Sequence, residues 1–418
     1  MAVRIEAGTL IPGRGEPIAE GLVVLDGPTI AYAGSAAGGP LAAPDDAVTR
    51  VPVILPGMWD AHIHFGGGTS YSEMDAAEVL PIRDGARIVP DLRRLLDAGI
   101  TSVRELGGFG TELGLAIGEG SIPGPTIYAA GAILSTTGGH GDLHRLPLDF
   151  VQSLGRRGEP FSQLCDGVPE CLRAVRLQLR RGARVIKVCA SGGVLSHLDD
   201  PEHREFSDEE LQVIVEEAAR AERIVAAHCH GKSAILASLR AGIRTIEHGS
   251  YLDDEAAAAM VDADATFIPT RHVVERLIGN LGVLSEAQAR KARSIADRHR
   301  QAIEAALKRG VRFATGTDLG LSGPVYGPEY ATASREVAHL VALGMAPLAA
   351  IEAATANGPL TLGPQAPKSG ELRSGHDADI VAIDFDPLAD ASGWGDPSRV
   401  THVWQAGVAV KATPPASA

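Results

Sequence analysis

Val51-Pro52-Val53-Ile54-Leu55-Pro56-Gly57-Met58-Trp59-Asp60-Ala61-His62-Ile63-His64 is the stretch on which the reading of this chain turns. The apolar run from Val51 to Trp59 reads as a buried strand. Residues two apart on a strand point to one side. His62 and His64 therefore present two imidazoles together at a strand end, which is half of a metal site. An HxH alone is weak evidence, because ordinary loop histidines produce it too.

Working outward, other ionisable residues follow short β-prone runs in a fixed order. Lys187 lies in Arg184-Val185-Ile186-Lys187-Val188-Cys189. His228 and His230 end Ile224-Val225-Ala226-Ala227-His228-Cys229-His230. His248 ends Thr245-Ile246-Glu247-His248, and Asp318 ends Phe313-Ala314-Thr315-Gly316-Thr317-Asp318. Each precedes Gly, Ser or a helical stretch, as the C-terminal ends of barrel strands do.

Strands are expected near 59–64, 101–105, 125–131, 184–188, 224–228, 244–248, 265–269 and 311–317. Helices are expected near 83–98, 111–118, 169–182, 207–222, 232–241, 253–263, 285–309 and 330–344. The alternation fits an α/β fold, a (β/α)8 TIM-like barrel. Ser207 with Glu210, and Ser285 with Gln288, have capping-box spacing at two helix starts. Short strands also occur before residue 55 and again at Asp379–Ile383 and Val400–Trp404. They are expected to join in a small β-sandwich built by both chain ends. The expected domains are 1–55 and 365–418 for that β-sandwich and 56–364 for the barrel.

The 418-residue chain can bury one large core and a smaller one. Its formal net charge of −14 argues against nucleic acid or an anionic membrane as partner, since both need a basic face. The four cysteines show no zinc-finger spacing, and Cys229 reads as a small buried filler. The N-terminus lacks a basic region followed by an apolar core, and no run reaches membrane-span length. A cytoplasmic location is the expectation. Phosphate-loop, nucleophile-elbow and dinucleotide fingerprints are missing from the sequence.

The order HxH, Lys, His, His, Asp resembles the amidohydrolase superfamily. Leu55–His64 is similar to that family's first barrel strand, and Gly375–Val381 to its return into the β-domain. Gly138-Gly139-His140-Gly141, Ala190–Val194, His228–Gly231 and Ile246–Gly249 resemble the imidazolonepropionase-related branch. That branch includes metal-dependent carboxypeptidases, prolidases and ochratoxin hydrolases.

The resemblance implies two divalent metal ions, for which His and carboxylate ligands suit zinc, with manganese, cobalt or iron as alternatives. It implies His62, His64 and Asp318 on the more buried ion and His228 and His248 on the other. Lys187, N6-carboxylated by CO2, would bridge them. A free ammonium has no lone pair for a metal, whereas a carbamate offers two oxygens. The apolar neighbours of Lys187 favour the neutral amine that carboxylation needs. The implied reaction is attack of a metal-bridging hydroxide on an amide, with Asp318 as catalytic residue moving the proton. The substrate would be a small-molecule amide that releases an amino acid: a dipeptide, an N-acyl amino acid or an ochratoxin-like amide. Homo-oligomers are common in the family.

His230 is expected to contact substrate, or to bond at a helix start. His140, in a glycine-rich loop, is weighed evenly between substrate contact and an ordinary loop role. Arg271, His272 and Tyr326 are further candidates for substrate binding, each balanced against a neutral wall position. The segment from about 132 to 168 is long enough for a lid or specificity loop. Asp60 is expected behind the ligands, and Glu247 is expected to alternate away from the site. The alternatives are a cyclic-amide or aryl-urea hydrolase, a mononuclear deaminase, a lactonase and a non-catalytic scaffold. Lys187 speaks against the deaminase, and the intact ligand set against the scaffold.

Overall fold

The computed structural model describes residues 3–72, 74, 80–157, 161–322 and 329–412. Eight parallel strands form a ring: β5 (Met58–Ile63), β6 (Ile100–Glu105), β7 (Thr126–Ala129), β10 (Ile186–Cys189), β11 (Val225–Cys229), β12 (Thr245–His248), β13 (Thr266–Ile268) and β14 (Arg312–Phe313). Two sets of backbone bonds close it. The Arg184 amide donates to the Ala129 carbonyl at 2.8 Å, joining β7 to β10. Ala61 donates to Thr315 and His64 to Leu319, each at 2.8 Å, joining the chain beyond β14 to β5. The last strand thus continues past its regular part into the residues that carry Asp318.

The strands pack on the surrounding helices through small and branched side chains: Val103, Ile186, Ala227, Ile246 and Phe267 share one buried cluster with Val175, Ile214, Ile235 and Met260 of the helices. With few aromatics in the chain, volume comes from Ala, Val, Leu and Ile. Both predicted capping boxes form: Ser207 and Ser285 each accept from the third helical amide, and Glu210 and Gln288 bond back. Such a cap is worth about 1 kcal/mol.

Two elements depart from expectation. The segment after β7 is partly regular: β8 (Ile133–Ser135) and β9 (Ser162–Leu164) pair in parallel, with a helix over Leu148–Arg157 between them. β8 also lies against β10 through Val188 and Leu134. Gly131 at φ 73° interrupts β7 and β8, and strands of three residues carry no readable period. A further helix, Arg271–Gly279, follows β13 directly.

The chain ends build one sheet in the order β17-β16-β15-β4-β1-β2-β3, with β1 (Val3–Leu10), β2 (Ile18–Asp26), β3 (Thr29–Ser35), β4 (Ala47–Pro56), β15 (Ile380–Ile383), β16 (Val400–Gln405) and β17 (Val408–Ala412). It encloses its own core of Ile5, Val23, Ile30, Ile54, Ile380 and Trp404. β4 runs almost directly into β5, so this sheet holds the start of the HxH strand. Among the described residues, no helix is long and apolar enough to cross a membrane.

Candidate metal centre

His62 and His64 project from the end of β5 toward Asp318. Asp318 Oδ1 lies 3.2 Å from His64 Nε2 and 3.4 Å from His62 Nε2. Asp60 sets this geometry from behind. It accepts from the Thr317 hydroxyl at 2.6 Å and from the amides of Thr317 and His62 at 3.1 Å. The Asp318 amide donates to the His62 carbonyl at 2.7 Å. Asp60 therefore stands where a supporting residue was expected.

A second cluster sits opposite. The rings of His228 and His248 are 4.5 Å apart, those of His228 and His230 4.7 Å, and those of His230 and His248 4.9 Å. His248 also lies 4.8 Å from His62, which brings the two clusters together. Two groups offer ligand atoms close enough to hold a cation: His62, His248 and Asp318, and His228, His230 and His248. Lys187 is buried, its Nζ 3.4 Å from His62 Nε2.

The imidazoles are aimed by their second nitrogens. His62 Nδ1 meets Glu247 at 2.9 Å, and His64 Nδ1 donates to the Gly107 carbonyl at 2.8 Å. His230 Nδ1 meets the Ser250 hydroxyl, and His248 Nδ1 the Thr270 hydroxyl, each at 2.8 Å. In all four, Nε2 is left for the centre, as metal-binding histidines require. Three residues here are non-glycine yet left-handed: His248 (φ 67°), Thr270 (φ 54°) and Asp318 (φ 57°). Such backbone costs about 1–3 kcal/mol and gathers at functional sites.

The protonation pattern suits cation binding. Burial lowers the pKa of His62, His228 and His248 and brings His230 down to about 3. These rings are neutral and have lone pairs to give. Burial lowers Lys187 too, favouring the free amine. For Asp318 burial pushes upward, but the adjoining His62 and His64 outweigh it and hold the carboxyl ionised. Among the described residues, no carboxylate lies within ion-pair distance of Lys187 Nζ.

The centre opens into a cavity of about 300 Å³. Leu143, Phe161, Val194, Val274, Leu277 and Ile295 give it a largely apolar wall. His140 lines it, stacked on His228 at 4.2 Å, and its Nδ1 faces Ser196 Oγ at 2.9 Å and Asp199 at 3.3 Å. The 132–168 segment contributes through His140, Leu143 and Phe161.

Two candidate contacts are corrected. Arg271 turns its guanidinium to Glu275 at 2.6 Å and to the Ala296 carbonyl at 3.1 Å. His272 packs on His339 and Thr332. Neither lines the cavity, because both open the helix Arg271–Gly279, whose Val273, Val274 and Leu277 face it instead. Tyr326 lies outside the described residues.

Glu247 is the residue that sequence reasoning missed. Alternation in an extended strand should turn it away when His248 faces the site. The left-handed backbone at His248 breaks that alternation, so both side chains reach the interior. The neighbouring sequence Glu247-His248-Gly249 held the only signal, a turn glycine directly after the strand.

The Amidohydrolase family model matches residues 53–410. An ochratoxinase from Aspergillus niger is 44% identical over 419 residues, covering 96% of this chain and 85% of the relative. The crystal structure of A. niger ochratoxinase superposes with a TM-score of 0.93 at 42% identity, covering 99% of this chain and 96% of that one. A prolidase complexed with N-methylphosphonate-L-proline superposes at 0.88 with 30% identity, covering 99% and 100%. A Xaa-Pro dipeptidase with bound methionine gives 0.86 at 28%, covering 98% and 100%. The match across the barrel and the two histidine clusters at its strand ends agree: the chain belongs to the amidohydrolase family and is a hydrolase of amide bonds.

Proposed function

We propose that the chain cleaves an amide at a two-metal centre and releases an amino acid, with an N-acyl amino acid or ochratoxin-like amide favoured over a small dipeptide. His62, His64 and Asp318 would hold one divalent ion, His228 and His248 the other, and Lys187, once carboxylated, would be shared between them. The reading rests on one observation above all. Lys187 is a buried amine that burial holds toward the neutral form, with its Nζ 3.4 Å from His62 Nε2. Carboxylation joins the amine nitrogen to the carbon of CO2 and releases one proton, leaving an anionic carbamate.

Zinc ions bound there supply Lewis acidity to the scissile carbonyl and acidify water to near neutrality. Asp318, ionised and at the mouth of the HxH strand, accepts the proton lost by the attacking water and hands it to the leaving nitrogen. His140, tethered at Nδ1 by Ser196 and Asp199, keeps Nε2 for a substrate oxygen. The apolar wall excludes water and takes an aromatic or aliphatic side group. That wall, with the likeness to ochratoxinase, favours a bulky amide.

The test is turnover of a panel containing N-acetyl-phenylalanine, Xaa-Pro dipeptides and ochratoxin A by the zinc-loaded chain. Release of free amino acid, fastest from the bulky amides, is expected. Turnover confined to esters, lactones or amidines overturns the reading.

A further inference from the structure

Arg104 and Glu247 are both fully buried inside the barrel, and neither has a place in the reaction described above. Arg104 Nη2 donates to Glu247 Oε1 at 2.7 Å, and the other oxygen, Oε2, accepts from His62 Nδ1 at 2.9 Å. Arg104 spends its remaining bonds on the same neighbourhood. Nε donates to the Ala61 carbonyl at 2.6 Å, and Nη1 to the Thr245 hydroxyl at 3.1 Å and the Thr361 carbonyl at 3.3 Å. One guanidinium thus fastens β5, at the residue before His62, to β12, and fastens the carboxylate that touches the His62 ring.

Stability is a poor explanation for this pair. Removing two charges from water costs about as much as their attraction returns, and apolar residues of like volume do as well or better. Tautomer control is a better one. A neutral imidazole carries one N–H, and a carboxylate at Nδ1 places it there. The lone pair is then fixed on Nε2, the atom that faces Asp318 and Lys187. Arg104 keeps Glu247 charged and immobile, so the bond is charge-assisted and the ring is held at one angle.

We propose that Arg104 and Glu247 are positioning residues that hold His62 in its metal-binding tautomer and strengthen its donation to one of the two ions. The proposal rests on the two-metal reading above. It predicts a one-site effect, because no comparable ion pair backs His228 or His248 among the described residues. His228 Nε2 faces the Gly192 carbonyl at 3.3 Å, and His248 Nδ1 the Thr270 hydroxyl at 2.8 Å.

The experiment is competition of Zn2+ between a chromophoric chelator and the full-length apo-protein, for wild type, Glu247→Gln and the double variant Arg104→Met/Glu247→Gln. The double variant leaves no uncompensated buried charge, so it reports even where the single variant does not fold. Expected is a fall of about 10–100-fold in affinity at one of two zinc sites, the other staying within about twofold. In apo-protein labelled with 15N-histidine, the His62 signal, found by its loss in His62→Asn, is expected to show the proton on Nδ1 in wild type and an exchanging mixture in the variants. Zinc affinities unchanged within about twofold, or both sites falling equally, overturn the proposal. A wild type that takes up no zinc overturns the two-metal reading, and this proposal with it.

Discussion

Asp318 Oδ1 sits 3.2 Å from His64 Nε2, on a residue held in left-handed backbone beyond the end of the last barrel strand. The carboxylate is ionised by its contacts with His62 and His64, despite burial. In the proposed reaction it has two tasks, holding a cation and moving a proton. Asp318→Asn keeps the shape and removes the base. A fall in kcat of about 10²–10⁴ is expected, the range for losing a positioned acid–base group, with an unchanged melting profile of the apo-protein. Near-wild-type kcat in the variant assigns the proton transfer elsewhere.

Leu277 faces the cavity from the helix after β13. Leu277→Ala trims the apolar wall without touching the metal-binding groups. The loss is one of uniform binding, which raises KM and leaves kcat alone. For a bulky amide, a KM increase of about tenfold is expected, corresponding to about 1.4 kcal/mol of lost contact. Steady-state kinetics on ochratoxin A and on a small dipeptide separate the cases, since the dipeptide should be nearly indifferent. A large fall in kcat for both contradicts the assignment.

Arg271 supplies a control. Its guanidinium is committed to Glu275 and the Ala296 carbonyl, away from the cavity. Arg271→Ala is expected to leave kcat/KM within about twofold while lowering stability by about 1 kcal/mol, the worth of a typical hydrogen bond. A selective rise in KM would return Arg271 to the substrate.

Glu205 and Asp199 flank His140 with opposite protonation. Burial and the charge of Asp199 raise Glu205 to about 9, whereas Asp199 is pulled well below the usual carboxylate range by His140, Ser196 and Lys291, against its burial. Glu205 therefore holds its proton more tightly when folded than at its ordinary value of 4.5. Its contribution to stability is complete below that value and is lost as pH rises through about 9. Thermal melts at pH 6 and pH 9.5, chosen about either side of that range, should show a smaller drop in Tm for Glu205→Gln than for wild type. Equal drops mean that Glu205 is already ionised in the folded chain.

The barrel and the candidate ligands were legible because the strands that carry those residues pair an apolar run with an ionisable residue and a following break. His62, Lys187, His228, His248 and Asp318 belong to the first, fourth, fifth, sixth and eighth strands of the ring, and the structure gathers them at one end. Less legible was whatever depends on departures from regular backbone. Alternation misplaces Glu247 because His248 leaves the extended region. The helix Arg271–Gly279 begins immediately behind a strand, at left-handed Thr270, so its first two residues read as a loop facing the site. β8 and β9 are too short to show a period, and their place depends on the pairing of β8 with β10 and of β9 with β8.

The central claim is a pair of metals bridged through Lys187. Elemental analysis of the purified chain and of Lys187→Ala, each reconstituted with zinc and bicarbonate and assayed on the amide panel, tests it most directly. The account predicts about two zinc ions per chain in wild type, with one or both lost in the variant together with turnover. One ion in both proteins, with turnover retained in Lys187→Ala, would contradict it and leave Lys187 a structural residue.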